Sequence, residues 1–357
     1  MSTDKRGLDF TGQKFFIGND VHDRFWEITI RSMGMELKTF SMDPSPQQLH
    51  QYMTKHYPGG IYYSVYEASF CGFWAHRELC AWGFHNIVIH PADVPTTGKE
   101  RTNKTDKRDS RKLARELENG SLEAIYVPSV PQQQLRSLCR LRFRTVQNCT
   151  RVKNRIKGFL HYYGYDLPSH TEMPHWSGKF IQWLKSLKFA DDAGSDYRHF
   201  ALDELQNHRQ RLTTVTRQLR RYSRAPEIAP TFKCIHSVKG IGFITAITLL
   251  TEIIDMARFR TFDETACYVG LIPSEHSSGG NDNSAGITPR RNKYLRPLLI
   301  EAAWVAIRED PAMTQAFNAL IKRMTKQRAI IRIAKKLLRR TRHVWLHQTP
   351  YVTAVVQ

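Results

Sequence analysis

Acidic residues are scarce in this chain. Asp and Glu number 33 against 53 Lys and Arg in 357 residues, a formal net charge of +20. Solubility needs far less than that, so the imbalance implies a polyanionic partner. Cysteine is also sparse. The six, Cys71, Cys80, Cys139, Cys149, Cys234 and Cys267, form no CxxC pair and show no metal-ligand spacing with histidine, which argues against a zinc module and for reduced thiols. No apolar run approaches membrane-spanning length, and the polar opening MSTDKRGLDF does not read as a signal peptide. The expectation is a cytoplasmic, nucleoid-associated protein without a membrane partner. With 41% apolar residues, the chain can build two or three ordinary globular domains.

What is present begins with TNKTDKRDS, residues 102–110, where Asp106 and Asp109 sit three apart among Lys104, Lys107 and Arg108. On a helix that spacing turns both carboxylates to one face. Such a pair repels unless a cation lies between, and a hard divalent ion is the usual one. The flanking cations offer the plainer alternative of a helix start with N-terminal acids and a solvated charge run.

Upstream, KFFIGND reads as a strand ending in Asp20. Trp26 to Arg31 alternate as a second strand, and Met35 and Leu37 suggest a third. Ser45 and Pro46 start a helix, IYYSVYE is a strand ending in Glu67, Phe70 to Gly83 a helix and His85 to His90 a strand. Three strands of meander followed by alternating helix and strand is the order of an RNase H-like (RuvC-like) fold, whose first and fourth strands are neighbours. Asp20, Glu67, Asp106 and Asp109 then gather at one edge as a site for one or two Mg²⁺ ions.

Past Pro131 the chain turns to long basic helices. Leu135, Leu138, Cys149, Val152, Ile156 and Leu160 line one seam, and Leu202, Leu205, Leu212, Val215, Leu219 and Tyr222 another, predicting an antiparallel coiled coil around an aromatic insert at residues 175–189. Arg136, Arg140, Arg142, Arg144, Arg151, Lys153, Arg155 and Lys157 lie between, offering contacts to a nucleic-acid backbone. SRAPEIAP, residues 223–230, reads as a linker. The division expected is a metal domain over 1–128, a basic coiled-coil region over 129–225 and a mostly helical domain over 226–357. In the last, Lys239, Gly240 and Gly242 of SVKGIG precede an apolar helix, as in a helix-hairpin-helix phosphate turn or an ordinary helix-helix turn. Basic residues follow at Arg290, Arg291 and Arg296, and Lys322 to His343 holds ten Lys or Arg and no acid, with Arg339, Arg340 and Arg342 near its end.

Together these segments resemble the DEDD-type insertion-sequence transposases that act as bridge-RNA-guided recombinases. IGND carries Asp20, VYEAS Glu67 and KTDKRDS Asp106 and Asp109, while VKGIG, GLIPSEHSSGG and YLRPLLIEAA match the second domain. The resemblance implies that Ser278, the serine before a glycine, is the nucleophile, with Ser277 adjacent. It implies Mg²⁺ at the four acids, a guide RNA, donor and target double-stranded DNA, and dimers that assemble to a tetramer in which serine and acids meet between protomers. Two residues depart from the pattern: Asn19 replaces an apolar residue and Arg291 a glycine. The alternatives are a Mg²⁺-dependent nuclease of the Holliday-junction-resolvase kind and a non-catalytic nucleic-acid-binding protein.

Overall fold

A computed structural model describes residues 9–95, 105–278, 281–287 and 291–353, with backbone alone for 273–287. The chain divides into two units, Met1–Val127 and Pro128–Gln357.

In the first unit, strands β1 (Lys14–Val21), β2 (Trp26–Ser32), β3 (Met35–Met42), β4 (Ile61–Glu67) and β5 (His85–Ile89) form one sheet in the order β3-β2-β1-β4-β5. β1, β2 and β3 are an antiparallel meander, and β4 and β5 add in parallel on the other side of β1. This is the mixed topology of an RNase H-like sheet.

One face of the sheet packs Phe15, Ile17, Trp26, Ile28, Tyr62 and Tyr66 beneath helices α1 (Pro46–His56) and α2 (Trp74–Ala81). Ser45 Oγ accepts from the Gln48 amide and Pro46 fills the first turn of α1, as the sequence suggests. Helix α2 starts at Trp74 rather than Phe70. Gly72 takes φ 58°, and the Tyr66 hydroxyl donates to its carbonyl while accepting from the His76 amide, so the chain turns before the helix can begin. The opposite face carries Val65 and Ile89, covered by Leu113 of helix α3 (Asp106–Glu118).

In the second unit, helices α4 (Val130–Tyr162) and α6 (Asp192–Tyr222) pair antiparallel. Arg155 donates to Glu204 at 2.5 Å, Arg142 to Thr216 at 3.0 Å, and Cys139 packs with Leu219, so rising numbers on one helix meet falling numbers on the other. A capping box between Ser129 and Gln132 starts α4. Phe180 and Leu184 of α5 (Gly178–Ser186) bury against Val152, Ile156 and Leu160, which makes the aromatic insert part of this pair's core. Leu212 is half-buried and Tyr222 exposed, whereas Val215 and Leu219 between them stay buried, so the seam is interrupted at Leu212 and ends at Leu219.

From Ser223 the chain passes through turns into α7 (Ala229–His236), and both sides of the expected linker belong to the same unit. Helices α8 (Phe243–Ile253), α9 (Phe262–Val269), α10 (Leu295–Glu309), α11 (Pro311–Ile321) and α12 (Lys326–His347) enclose the larger core. Between α9 and α10, β6 (Pro273–Ser278) and β7 (Asn281–Ile287) form an antiparallel hairpin.

The long pair is anchored to this core through charge. Glu252 of α8 is fully buried and takes both Nε (2.7 Å) and Nη2 (2.8 Å) of Arg140, while Asn292 donates to it at 3.0 Å and Arg136 donates to the Thr251 carbonyl at 2.8 Å. Glu252 is the buried member and Arg140 is partly exposed, so loss of the arginine is the costly change, because it strands a buried carboxylate. Arg136, Arg140 and Arg142, expected on a nucleic-acid face, therefore serve as framework. No helix among the described residues is long and apolar enough to cross a membrane.

Candidate metal centre and nucleic-acid surface

The acids are positioned by how α3 lies on the sheet. Strand periodicity puts Gly18 and Asp20 on one face of β1, and in-register parallel pairing (Gly18 with Val65, Asn19 with Tyr66) puts Val65 and Glu67 on the same face of β4. Asp20 and Glu67 each come one residue after the Asn19–Tyr66 pair, so they stand side by side at the carboxyl edge. Helix α3 crosses this face very closely. A Cβ on Gly18 would lie 2.1 Å from the Ser110 carbonyl oxygen and 2.5 Å from the Ala114 nitrogen.

Thr29, cross-strand from Gly18, bonds through its hydroxyl to Ser110 Oγ at 2.8 Å. At the other end, Glu118 accepts from Arg31 Nε at 2.8 Å and from the Gly34 amide at 2.7 Å. These ties run α3 opposite to β1 and leave its first turn, with Asp106 and Asp109, beside Asp20.

Asp20 Oδ2, His22 Nε2 and Asp106 Oδ1 come together there. His22 Nε2 lies 3.2 Å from Asp20 and 3.5 Å from Asp106, and one ligand atom from each of the three falls within 4.8 Å of the others. Burial pushes the Asp20 carboxyl above its usual range; His22 opposes that, and Asp109 and then Asp106 add to it. The donor set, oxygen-rich with one imidazole and an excess of negative charge, suits a divalent cation. Glu27, directly cross-strand from Asp20, is buried; one oxygen accepts from Ser41 Oγ and the other has no partner among the described residues.

His22 and Glu27 are additions to the residues singled out in the sequence. The signal for His22 was present: two residues beyond Asp20, it shares that residue's face.

The other candidates are placed as follows. Ser278 ends β6, paired with Asn281, in the second unit. Lys104 and Arg290 lie outside the described residues, while Lys107, Arg108, Lys239 and Arg291 are exposed. Gly240 takes φ +91°, and a Cβ there would meet the Ala302 carbonyl at 2.5 Å, so it packs against α10; Gly242, at the N-cap of α8, faces open space. Arg296 is buried and donates to the Gly270 carbonyl at 3.0 Å. Arg340 pairs with buried Asp310, which also accepts from Tyr351. Arg342 donates to the Phe259 carbonyl at 3.2 Å. Gly240, Arg296, Arg340 and Arg342, expected to meet phosphates, are thus engaged in packing or with internal partners. Arg339 is exposed, its guanidinium 4.4 Å above Phe262.

The exposed row on α12 is Arg328, Arg332, Lys336, Arg339 and His343, spaced by threes and fours along one side. Neutralising Arg328, Arg332 and Lys336 together is expected to weaken binding to all nucleic-acid sequences alike and to lower the salt slope by about one unit per lost contact. An unchanged slope in a salt titration would make the row a solvated face.

Comparison with known proteins places the sequence among transposases. A family model described as a transposase, of the DEDD type of the IS110 elements, matches residues 17–164, and one described as the transposase IS116/IS110/IS902 family matches residues 232–318. The Sinorhizobium fredii protein y4qE, named as a transposase, is 29% identical over 68% of this chain, which spans 58% of y4qE. The transposase for insertion sequence element IS1111A of Coxiella burnetii is 27% identical over 73% of this chain and 71% of its own length. A family 20 transposase of Pseudomonas aeruginosa is 27% identical over 74% and 79%.

Proposed function

The chain belongs to the IS116/IS110/IS902 transposase family, and from that premise we propose that it recombines DNA under the guidance of an RNA, through a phosphoserine intermediate and a divalent-metal site. The observation that carries the reading is the convergence at one sheet edge of Asp20, Asp106 and His22, with Asp109 acting on Asp20 and Glu67 beside it in register.

Asp20, Glu67, Asp106 and Asp109 would hold the ion. Mg²⁺ bound there supplies Lewis-acid stabilisation of charge on the attacking and leaving oxygens of a phosphodiester. Ser278 supplies the attacking oxygen. The phosphoester it forms keeps the energy of the broken P–O bond, so strands rejoin without ATP. A guide RNA pairs with donor and target DNA and supplies the sequence choice, while exposed cations such as the α12 row hold phosphates of either partner. The antiparallel α4–α6 pair acts as the coiled-coil arm of a homo-oligomer, dimers assembling to a tetramer, with the serine of one protomer serving the acids of another.

The test is metal-site mutagenesis with RNA binding as a control. Replacing any one of Asp20, Glu67, Asp106 or Asp109 by Ala should abolish strand exchange and leave RNA binding largely intact. Full-rate exchange in EDTA is the result that would sink the metal reading. A second reading, a nuclease that uses water in place of the serine, draws on all four acids lying in the first unit. A covalent protein–DNA adduct excludes it.

A further inference from the structure

We propose that His22 is itself a metal ligand, so that the site is a mixed carboxylate–imidazole centre that favours Mn²⁺ relative to Mg²⁺ more than four carboxylates alone would. This rests on the reading that the acids hold a divalent cation. The geometry is the first argument. In an octahedral site with bonds of about 2.1 Å, neighbouring ligand atoms lie about 3.0 Å apart. His22 Nε2 stands 3.2 Å from Asp20 Oδ2 and 3.5 Å from Asp106 Oδ1, near the edge lengths of one coordination face.

Hydrogen-bond counting is the second. One imidazole nitrogen carries at most one hydrogen, so Nε2 can satisfy only one of the two carboxylate oxygens that approach it. A cation among the three atoms satisfies all of them.

The ring is held in place rather than swinging free. Its amide donates to the Phe25 carbonyl at 3.1 Å and its ring lies against Phe25 at 4.9 Å, while the side chain keeps 35% of its surface open to the solvent from which an ion arrives. A nitrogen ligand changes selectivity because imidazole suits transition metals, whereas Mg²⁺ prefers oxygen donors and retains its waters. Hydrolytic sites built only of carboxylates lack that bias.

The experiment uses full-length protein stripped of metal and titrated with Mn²⁺, free ion being read by electron paramagnetic resonance and bound ion by electron spin-echo modulation. Wild type should show directly coordinated ¹⁴N, converted to the ¹⁵N pattern by [¹⁵N]histidine labelling. His22→Ala should lose the nitrogen signal, bind Mn²⁺ about tenfold more weakly or worse, and lose less affinity for Mg²⁺ measured by competition. His22→Ser is the second variant, keeping a small polar group should alanine disturb the strand end, and thermal melting checks folding of both. Bound Mn²⁺ without nitrogen modulation in wild type, or modulation that persists in both variants, overturns the assignment of His22 while leaving the carboxylate site standing. Wild-type protein that binds no Mn²⁺ removes both.

Discussion

Protein carrying Ser278→Ala is expected to lose strand exchange by at least about 10³-fold, and with it any covalent protein–DNA adduct, while folding and RNA–DNA binding persist. Ser278 is the last residue of β6, paired with Asn281 at the start of β7, and the two residues between are Gly279 and Gly280. Ser278→Ala deletes one hydroxyl and leaves the backbone unchanged, so it should shift unfolding by no more than about 0.5 kcal/mol. The loss should therefore be chemical.

Mixing this variant with Asp20→Ala protein separates the proposal further. Each variant alone should be inactive. If serine and acids are drawn from different protomers, some mixed assemblies pair an intact serine with intact acids, and part of the activity should return. Ser278→Ala protein that still cleaves DNA at the wild-type rate without an adduct would instead favour the nuclease reading. An adduct mapped to Ser277 would move the nucleophile by one residue and keep the mechanism.

Much of the first unit was legible in the sequence because its signals are local. Alternation in WEITIR, the Ser45–Pro46 helix start and the 106–118 helix all appear where spacing puts them. The approach of Asp20 and Asp106 was foreseeable because one lies near a strand end and the other starts a helix, and sheet topology converts those ends into neighbours. What the sequence concealed depends on tertiary partners. Nothing in YLRPL marks Arg296 as a buried donor to the Gly270 carbonyl, nor in KKLLRRTR that Arg340 answers a carboxylate on Asp310. A cation in a basic run looks the same whether it faces solvent or an acid thirty residues away.

Gly240 shows the same limit, since a glycine needed for close packing on α10 reads like one opened for a phosphate. Asn19, the departure noted in IGND, is fully buried on the face opposite Asp20, and neither of its amide atoms has a partner among the described residues. The structure offers no physical reason for an amide there.

Gly18→Ala is expected to damage the metal site without touching a single ligand. The added methyl would fall 2.1 Å from the Ser110 carbonyl oxygen and 2.5 Å from the Ala114 nitrogen. Both are helix backbone, which cannot rotate away as a side-chain tip can, so α3 must lift by about 1 Å to restore an ordinary carbon–oxygen separation of about 3.3 Å. Overpacking of this kind costs about 1–3 kcal/mol. The larger effect is positional. Asp106 and Asp109 ride on the first turn of α3 whereas Asp20 and Glu67 stay with the sheet, so the shift opens the donor set along its narrowest dimension. A misplacement of about 1 Å lowers rates by about 10²-fold when catalysis depends on alignment. Mn²⁺ affinity and strand exchange should therefore fall together, in protein whose melting temperature drops but whose sheet still folds. Gly158→Ala is the matched control: Gly158 lies inside α4 with nothing within 4 Å of an added Cβ, so alanine there should leave activity unchanged and stabilise the helix by about 1 kcal/mol. Undiminished metal binding and exchange by Gly18→Ala would mean that the acids do not depend on α3 seated at this spacing, and the four-carboxylate site would have to be drawn from another arrangement of the same chain.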